Sequence, residues 1–337
     1  MKKLRVLAIV HEELMPPDDI DGYDLTRVGW KMEFDVIETL GLMGHEVTTV
    51  GASDDVSMLD RAIGRAKPHV IFNLLEDFGD VAVNDQHWVS FLELRGVPYT
   101  GCNPRGLLLA RDKAISKKLL AFDGVRVPAF DVYRIGERRT RRPRLEFPLI
   151  VKSLVFDGSV GICQASVVTT EKALHERVSF VHREVGSDAI AEEFVDGREL
   201  YVGVLGNDRL QTFPVWELHF DRPPKTTRLI ATDRVKWSDR YQERVGVRTA
   251  EAKLPARKAK EIQRLARRIY RLLELTGYGR IDFRLTEGGE VVFLEANPNP
   301  QLAYGEDFAE SAEKRGISYE SLLQRMLNLA LRQHRPG

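Results

Sequence analysis

Apolar and polar positions along the chain change period several times, and each change marks an element. Leu4 to Val10 is a short continuous apolar run, Trp30 to Met43 places Trp30, Phe34, Ile37 and Leu40 on one helical face, and Glu46 to Val50 returns to a strand pattern. A strand over Val70 to Leu75 and a helix around Trp88 to Leu94 then lead to Val97-Pro98-Tyr99. Strands interleaved with helices predict a parallel α/β sheet, whose ligands bind beyond the carboxyl ends of the strands. The acidic stretch from His11 to Gly29 follows the first strand and is expected on that edge.

A second unit begins near Lys113, where Ala114, Ile115, Leu119 and Phe122 mark a short helix. Strands are predicted over Phe147 to Ser153, Ile162 to Val168 and Ala189 to Val195, with an amphipathic helix over Glu171 to Val185. The arginines Arg138, Arg139, Arg141, Arg142 and Arg144 precede the first of these strands without interleaved aromatics, so they read as a solvated loop rather than a nucleic-acid site. A third unit opens with Leu200 to Leu205, crosses a polar, poorly periodic stretch from Thr226 to Ala250, and ends in helices over Pro255 to Leu275 and Tyr319 to Leu331. The expected organisation is therefore 1–112, 113–198 and 199–337.

Between the last two helices, residues 277–300 alternate as a β-hairpin turning at Glu287-Gly288-Gly289. This alternation places Asp282, Glu295 and Asn297 on one face, with Arg280 two positions before Asp282. Hard oxygen ligands of this kind suit Mg²⁺ held largely by nucleotide phosphates.

Composition narrows the class. A chain of 337 residues has room for two or three cores, and 50 basic against 50 acidic residues leaves no overall field toward nucleic acid or anionic lipid. No stretch approaches membrane-spanning length, and the Leu4 to Val10 run is short and passes into His11-Glu12-Glu13 without a cleavage site. Two cysteines, Cys102 and Cys163, suit a reducing compartment. The expectation is a cytoplasmic protein with small-molecule partners, neither nucleic acid nor membrane.

Lysines then carry the chemistry. Lys152 lies inside the apolar strand Pro148-Leu149-Ile150-Val151, where a lysine is rare unless it meets an anion, and Lys113 is placed as unusually. The glycine-rich turn of Gly158, Ser159, Val160 and Gly161 follows directly, with backbone N–H groups able to close over phosphates. Further on, Glu192, Phe194 and Val195 offer an acceptor and an apolar wall for an adenine, and Glu199 an acceptor for ribose hydroxyls.

In this order the motifs resemble the ATP-grasp superfamily and, within it, the D-alanine:D-alanine ligase family. The likeness runs from Glu93-Leu94-Arg95-Gly96-Val97-Pro98-Tyr99-Thr100-Gly101 through Arg111-Asp112-Lys113, Ile150-Val151-Lys152 and Gly158 to Gly161. It continues with Glu192 to Glu199, Lys236, Gly279-Arg280-Ile281-Asp282 and Leu294-Glu295-Ala296-Asn297. It implies an α/β ATP-grasp fold in which an N-terminal parallel domain precedes two α+β subdomains that sandwich ATP. By the same likeness, Lys113 and Lys152 contact phosphates, Gly158 to Gly161 close over them, Glu192, Phe194, Val195 and Glu199 hold the adenosine, and Leu294 also binds the nucleotide. Asp282, Glu295 and Asn297 bind two Mg²⁺, replaceable by Mn²⁺; Lys236 and Arg280 are catalytic, one reaching the γ-phosphate and the other stabilising charge on the acyl group. The implied reaction joins a carboxylate to an amine, amino acids among them, through an acyl phosphate, and a homodimer is the implied assembly.

The amino-acid half departs from the family. Its glycine pair and glutamate after the first strand are here Val10-His11-Glu12-Glu13, the first serine of its loop is Gly158, and the tyrosine after the loop lysine is Trp237. Past Asn297, where the family has a serine near the acceptor carboxylate, this chain reads Pro298-Asn299-Pro300-Gln301-Leu302 and then Gly305-Glu306-Asp307. Trp237, Glu306 and Asp307 are thus expected to line the substrate, and a glutamate there would repel an acceptor carboxylate. The expectation is a ligase with a substrate other than D-alanyl-D-alanine. The alternatives are a true D-alanine:D-alanine ligase, an ATP-grasp phosphotransferase or carboxylase, and a non-catalytic ATP-binding regulatory protein.

Overall fold

An apolar run with no polar alternation needs cover on both faces, and the first strand receives it. In the computed structural model, which describes residues 3–137, 145–156, 159–222 and 228–333, β1 (Arg5–His11) is central in a parallel sheet of order β2-β1-β3. Here β2 is Glu46–Ala52 and β3 is Val70–Asn73, and Val6 to Val10 are all buried. The helices of this unit are α1 (Lys31–Leu42), α2 (Val56–Ala66), α3 (Asp85–Arg95) and α4 (Pro104–Arg111). Neither α2 nor α4 was anticipated: α2 buries only Leu59 and Ile63, one turn apart, and starts on the Asp55 side chain, which accepts the Ser57 N–H at 2.8 Å.

The second sheet has order β4-β7-β5-β6 and is antiparallel throughout. It follows α5 (Lys113–Phe122) and comprises β4 (Phe130–Tyr133), β5 (Leu149–Ser153), β6 (Val167–Val168) and β7 (Ala189–Glu193), with α6 (Glu171–Phe180) packed on it. The strand expected over Ile162 to Val168 shrinks to Val167–Val168, because Cys163 to Ser166 form a turn in which the Cys163 N–H donates to Ser166 Oγ at 3.0 Å. The arginine-rich residues 138–144 lie outside the described residues.

The third sheet runs β11-β10-β8-β12-β13, with β9 paired to β8. Its strands are β8 (Arg198–Leu205), β9 (Gln211–Thr212), β10 (Trp216–Phe220), β11 (Val247–Glu251), β12 (Tyr278–Leu285) and β13 (Val291–Pro298). The stretch from Thr226 to Ala250, which carries no clear period, holds α7 (Asp233–Trp237), α8 (Asp239–Val245) and β11. Both helices are short and start on hydroxyl caps, Thr232 and Ser238, so hydrogen bonding rather than an apolar stripe defines them. Helix α9 (Ala256–Leu272) covers β8 and β12, while α10 (Asp307–Lys314) and α11 (Tyr319–Gln333) join the core beneath β3 and α1. Among the described residues no helix is long and apolar enough to cross a membrane.

Candidate active site

Five charged side chains converge where the second and third sheets face each other. Lys152, on β5, lies 3.4 Å from Glu192 on β7 and 3.8 Å from Glu295 on β13. Lys113, at the start of α5, donates to the Phe156 carbonyl at 2.8 Å and stands 4.0 Å from Glu295. One turn further along α5, Lys117 is fully buried, 3.0 Å from Glu192, and donates to the Leu294 carbonyl. Desolvation depresses the Lys117 ammonium, and the Glu192 charge recovers part of that loss. Desolvation also acts to raise the Glu192 carboxyl, but Lys117 and Lys152 outweigh it and hold it below the usual carboxylate range. Three ammonium groups and two carboxylates thus meet in one cluster, a concentration of lysines that suits a phosphate anion.

The hairpin brings its oxygens together as its alternation implies. Asp282 is in register with Glu295 and Arg280 with Asn297, and the Asn297 amide donates to Asp282 Oδ2 at 2.9 Å. A bulge between Asp282 and Phe283 leaves Leu294 as the extra residue, which is how its carbonyl becomes free to accept Lys117. Arg280 grips Asp282 with two hydrogen bonds of 2.9 Å and lies 4.7 Å from the Tyr201 ring centroid. The donor set fits Mg²⁺: two carboxylates and an amide oxygen, the latter left as an acceptor by the direction of the Asn297 bond.

The segment joining β7 to β8 and the glycine-rich turn border this cluster; the strand expected through Val195 ends at Glu193, so Phe194 and Val195 lie in the connection beyond it. The Phe194 N–H donates to the Pro148 carbonyl at 2.9 Å, and Val195 follows it. Glu199 accepts from the Tyr201 hydroxyl at 2.8 Å and pairs with Arg284 at 2.8 Å. Ser159 and Gly161 both have left-handed backbone, with φ of 63° and 69°, Val160 is exposed, and Ser159 Oγ donates to the Ala231 carbonyl at 2.8 Å. Gly158 lies outside the described residues, as do the side chains of Lys236 and Trp237, whose backbones belong to α7.

Glu306 and Asp307 sit at the far side of Arg280. Asp307 Oδ2 is 3.9 Å from the Arg280 guanidinium. Partial desolvation and then the charge of Asp307 raise the Glu306 carboxyl, against the lowering effect of Lys31 and Arg280. In the stretch after β1, Arg27 lies 3.6 Å from Glu243 on α8, and His11, the last residue of β1, lies 3.5 Å from Asp80.

Lys117 and Arg284 escaped the sequence reading. Lys117 precedes Lys118 in a helix where a lysine pair reads as a solvated face; its fourfold spacing from Lys113 was the available signal. Arg284 continues the Arg280 and Asp282 face and binds both Glu199 and the Gly197 carbonyl.

Two α+β units closing on a buried lysine and carboxylate cluster, with an oxygen-bearing hairpin beside it, define an ATP-grasp ligase. Residues 120–328 match the family described as D-ala D-ala ligase C-terminus, and the chain belongs to that family. Among its relatives, the uncharacterized protein y4sG of Sinorhizobium fredii is 32% identical over 269 residues, 79% of this chain and 75% of its own. The D-alanine--D-alanine ligase of Bordetella petrii is 33% identical over 254 residues, covering 73% and 72% of the two chains. Among solved structures, the D-alanine--D-alanine ligase of Bacillus anthracis complexed with ATP shares the fold with a TM-score of 0.76 at 19% identity, over 98% of both chains. The VanG D-Ala:D-Ser ligase of Enterococcus faecalis does so at 0.71 and 19%, over 98% of this chain and 100% of that one.

Proposed function

We propose that this ligase uses ATP to activate a carboxylate as an acyl phosphate and joins it to an amine that is neutral or cationic where the family's acceptor carries a carboxylate. The observation that carries the acceptor reading is the placement of Glu306 and Asp307 beside Arg280. With Asp282 already bound to it and Asp307 3.9 Å away, the Arg280 guanidinium is flanked by two carboxylates. An acceptor carboxylate docking there meets like charge rather than a free cation. A D-Ala:D-Ser ligase stands among the proteins with this fold, so the scaffold serves more than one acceptor.

In this reading Lys113 and Lys152 hold the phosphates under the Gly158 to Gly161 turn, joined by Lys117 through Glu192. Glu192, Phe194, Val195, Glu199 and Leu294 hold the adenosine, and Lys236 reaches the γ-phosphate from α7. Asp282, Glu295 and Asn297 would hold two Mg²⁺, which neutralise charge on the transferred phosphoryl group. Arg280, fixed by Asp282 and the Tyr201 ring, faces the oxyanion that forms when the amine attacks. Closure of the segments above the cluster keeps water from the acyl phosphate. A cytoplasmic setting and amino-acid or related small-molecule substrates go with this reading.

The test is ADP release with Mg²⁺ and ATP against pooled amino acids, amino-acid amides and diamines, with mass spectrometry of the product. Turnover is expected with acceptors lacking a free carboxylate at that end, and Glu295→Gln is expected to abolish it while retaining some nucleotide binding. Efficient formation of D-alanyl-D-alanine would sink the acceptor reading, and full activity of Glu295→Gln would remove Glu295 from the metal site.

A further inference from the structure

Two segments remote in sequence meet beside Phe194, in the connection from β7 to β8 that is proposed to hold the adenosine. Ser159 Oγ donates to the Ala231 carbonyl at 2.8 Å, and the Asp233 N–H donates to the Ile162 carbonyl at 2.9 Å. A third contact differs in kind. The side-chain amide of Gln164 matches the backbone of Arg228, Nε2 donating to its carbonyl at 3.1 Å and Oε1 accepting its N–H at 3.1 Å. That pair fixes the Arg228 backbone, while the guanidinium extends over the Phe194 ring, 4.8 Å from its centroid. From the opposite side Arg284 donates to the Leu229 carbonyl at 3.0 Å and to the Gly197 carbonyl at 2.7 Å. Residues 228 and 229 are therefore held at once by the phosphate-side segment and by Arg284 of β12, the ion-pair partner of Glu199.

We propose that Gln164 is a positioning residue for the nucleotide: its two hydrogen bonds to Arg228 make residues 159–164 and 228–233 close as one unit, and they set the Arg228 guanidinium as a cover over the adenosine site at Phe194. The inference rests on the reading of that site as an ATP site. A primary amide is suited to this role because it presents a donor and an acceptor side by side, the complement of one residue's N–H and C=O. The latch is neutral at Gln164, so salt does not screen it. It also ties the segment leading into α7, the helix of Lys236, to the turn that follows the phosphate lysine Lys152.

The experiment measures binding of AMP-PNP with Mg²⁺ by calorimetry and follows amide hydrogen exchange in both segments. In the wild-type chain AMP-PNP slows exchange in 159–164 and 228–233 together. Gln164→Leu is expected to bind AMP-PNP about tenfold more weakly, from the loss of two neutral hydrogen bonds, and to lose protection of 228–233 while α5 stays protected. Gln164→Glu keeps the acceptor without the donor and falls between. Arg228→Ala keeps the backbone latch but not the cover, so it weakens binding while both segments remain protected together. A Gln164→Leu chain with wild-type affinity and wild-type paired protection overturns the latch, as does one that only melts earlier with the pairing intact. A wild-type chain that binds no AMP-PNP overturns the nucleotide reading and the latch with it, so the two failures are distinguishable.

Discussion

Glu33, in the first turn of α1, is 1% exposed, and neither carboxyl oxygen makes a hydrogen bond to another residue. Burial, opposed by its own backbone N–H and reinforced by the charge of Glu76, raises its pKa to about 7. The folded chain therefore holds this proton more tightly than the unfolded chain, in which the carboxyl titrates near 4.5. Its contribution to stability is complete below about 4.5 and is lost as the pH rises through about 7. Glu33→Gln removes the titration: denaturant unfolding is expected to give equal stabilities for the two chains at pH 4, and a gain for the variant of up to about 3 kcal/mol at pH 8. A constant difference across that range would mean that Glu33 is already ionised in the fold. Lys117 shows the opposite resolution of buried charge, since Glu192 lies 3.0 Å away and stays ionised beside it. A paired charge holds its ionisation where an unpaired one yields to protonation.

The turn between β7 and β8 shows how elements set the site. Gly197 has a φ of 141°, and a methyl group there would come 2.2 Å from the Leu285 carbonyl oxygen at the end of β12. The close approach lets Arg284 reach the Gly197 carbonyl and Glu199 together. Gly197→Ala is expected to destabilise the chain by about 2 kcal/mol or more, through backbone strain and separation of the two strands. Gly288, in the hairpin turn, has only Thr286 Oγ1 at 3.8 Å from such a methyl, so Gly288→Ala should stay within about 0.5 kcal/mol when both variants are unfolded in urea. Elements with a strong period were legible in the sequence: the apolar β1, the two sides of the hairpin and the long α9. What escaped depended on distant partners or on caps. The bulge that frees the Leu294 carbonyl has no local signature, and the Cys163 to Ser166 turn replaced an expected strand because one serine hydroxyl competes for the backbone. Residues whose type was odd for their setting, such as Lys152 in an apolar strand, were found; Lys117 and Gln164, ordinary in theirs, were not.

At the scale of the whole molecule, the second and third sheets meet over like and unlike charges rather than over a continuous apolar core. The buried apolar residues of the second sheet form clusters of their own, separate from those shared by the first and third sheets. What joins them near the site is the Lys113, Lys117, Lys152, Glu192 and Glu295 group together with the contacts from 159–164 to 228–233. A ligand that binds both sheets and carries negative charge supplies what this junction lacks, so it stabilises the assembled chain by mass action. At about 100 times its Kd, AMP-PNP is expected to add about 2.7 kcal/mol. The metal enters as a separate contribution. In the proposed site, phosphates without the metal would face the lysines but also Asp282 and Glu295, whose charges would oppose them; with Mg²⁺ the same carboxylates would become ligands. Calorimetric melting should therefore rise with AMP-PNP and Mg²⁺, grow with the logarithm of nucleotide concentration, and fall back by most of that gain when EDTA is added. A gain that survives chelation unchanged would show that Lys113, Lys117 and Lys152 hold the nucleotide alone, and would remove Asp282, Glu295 and Asn297 from the binding step.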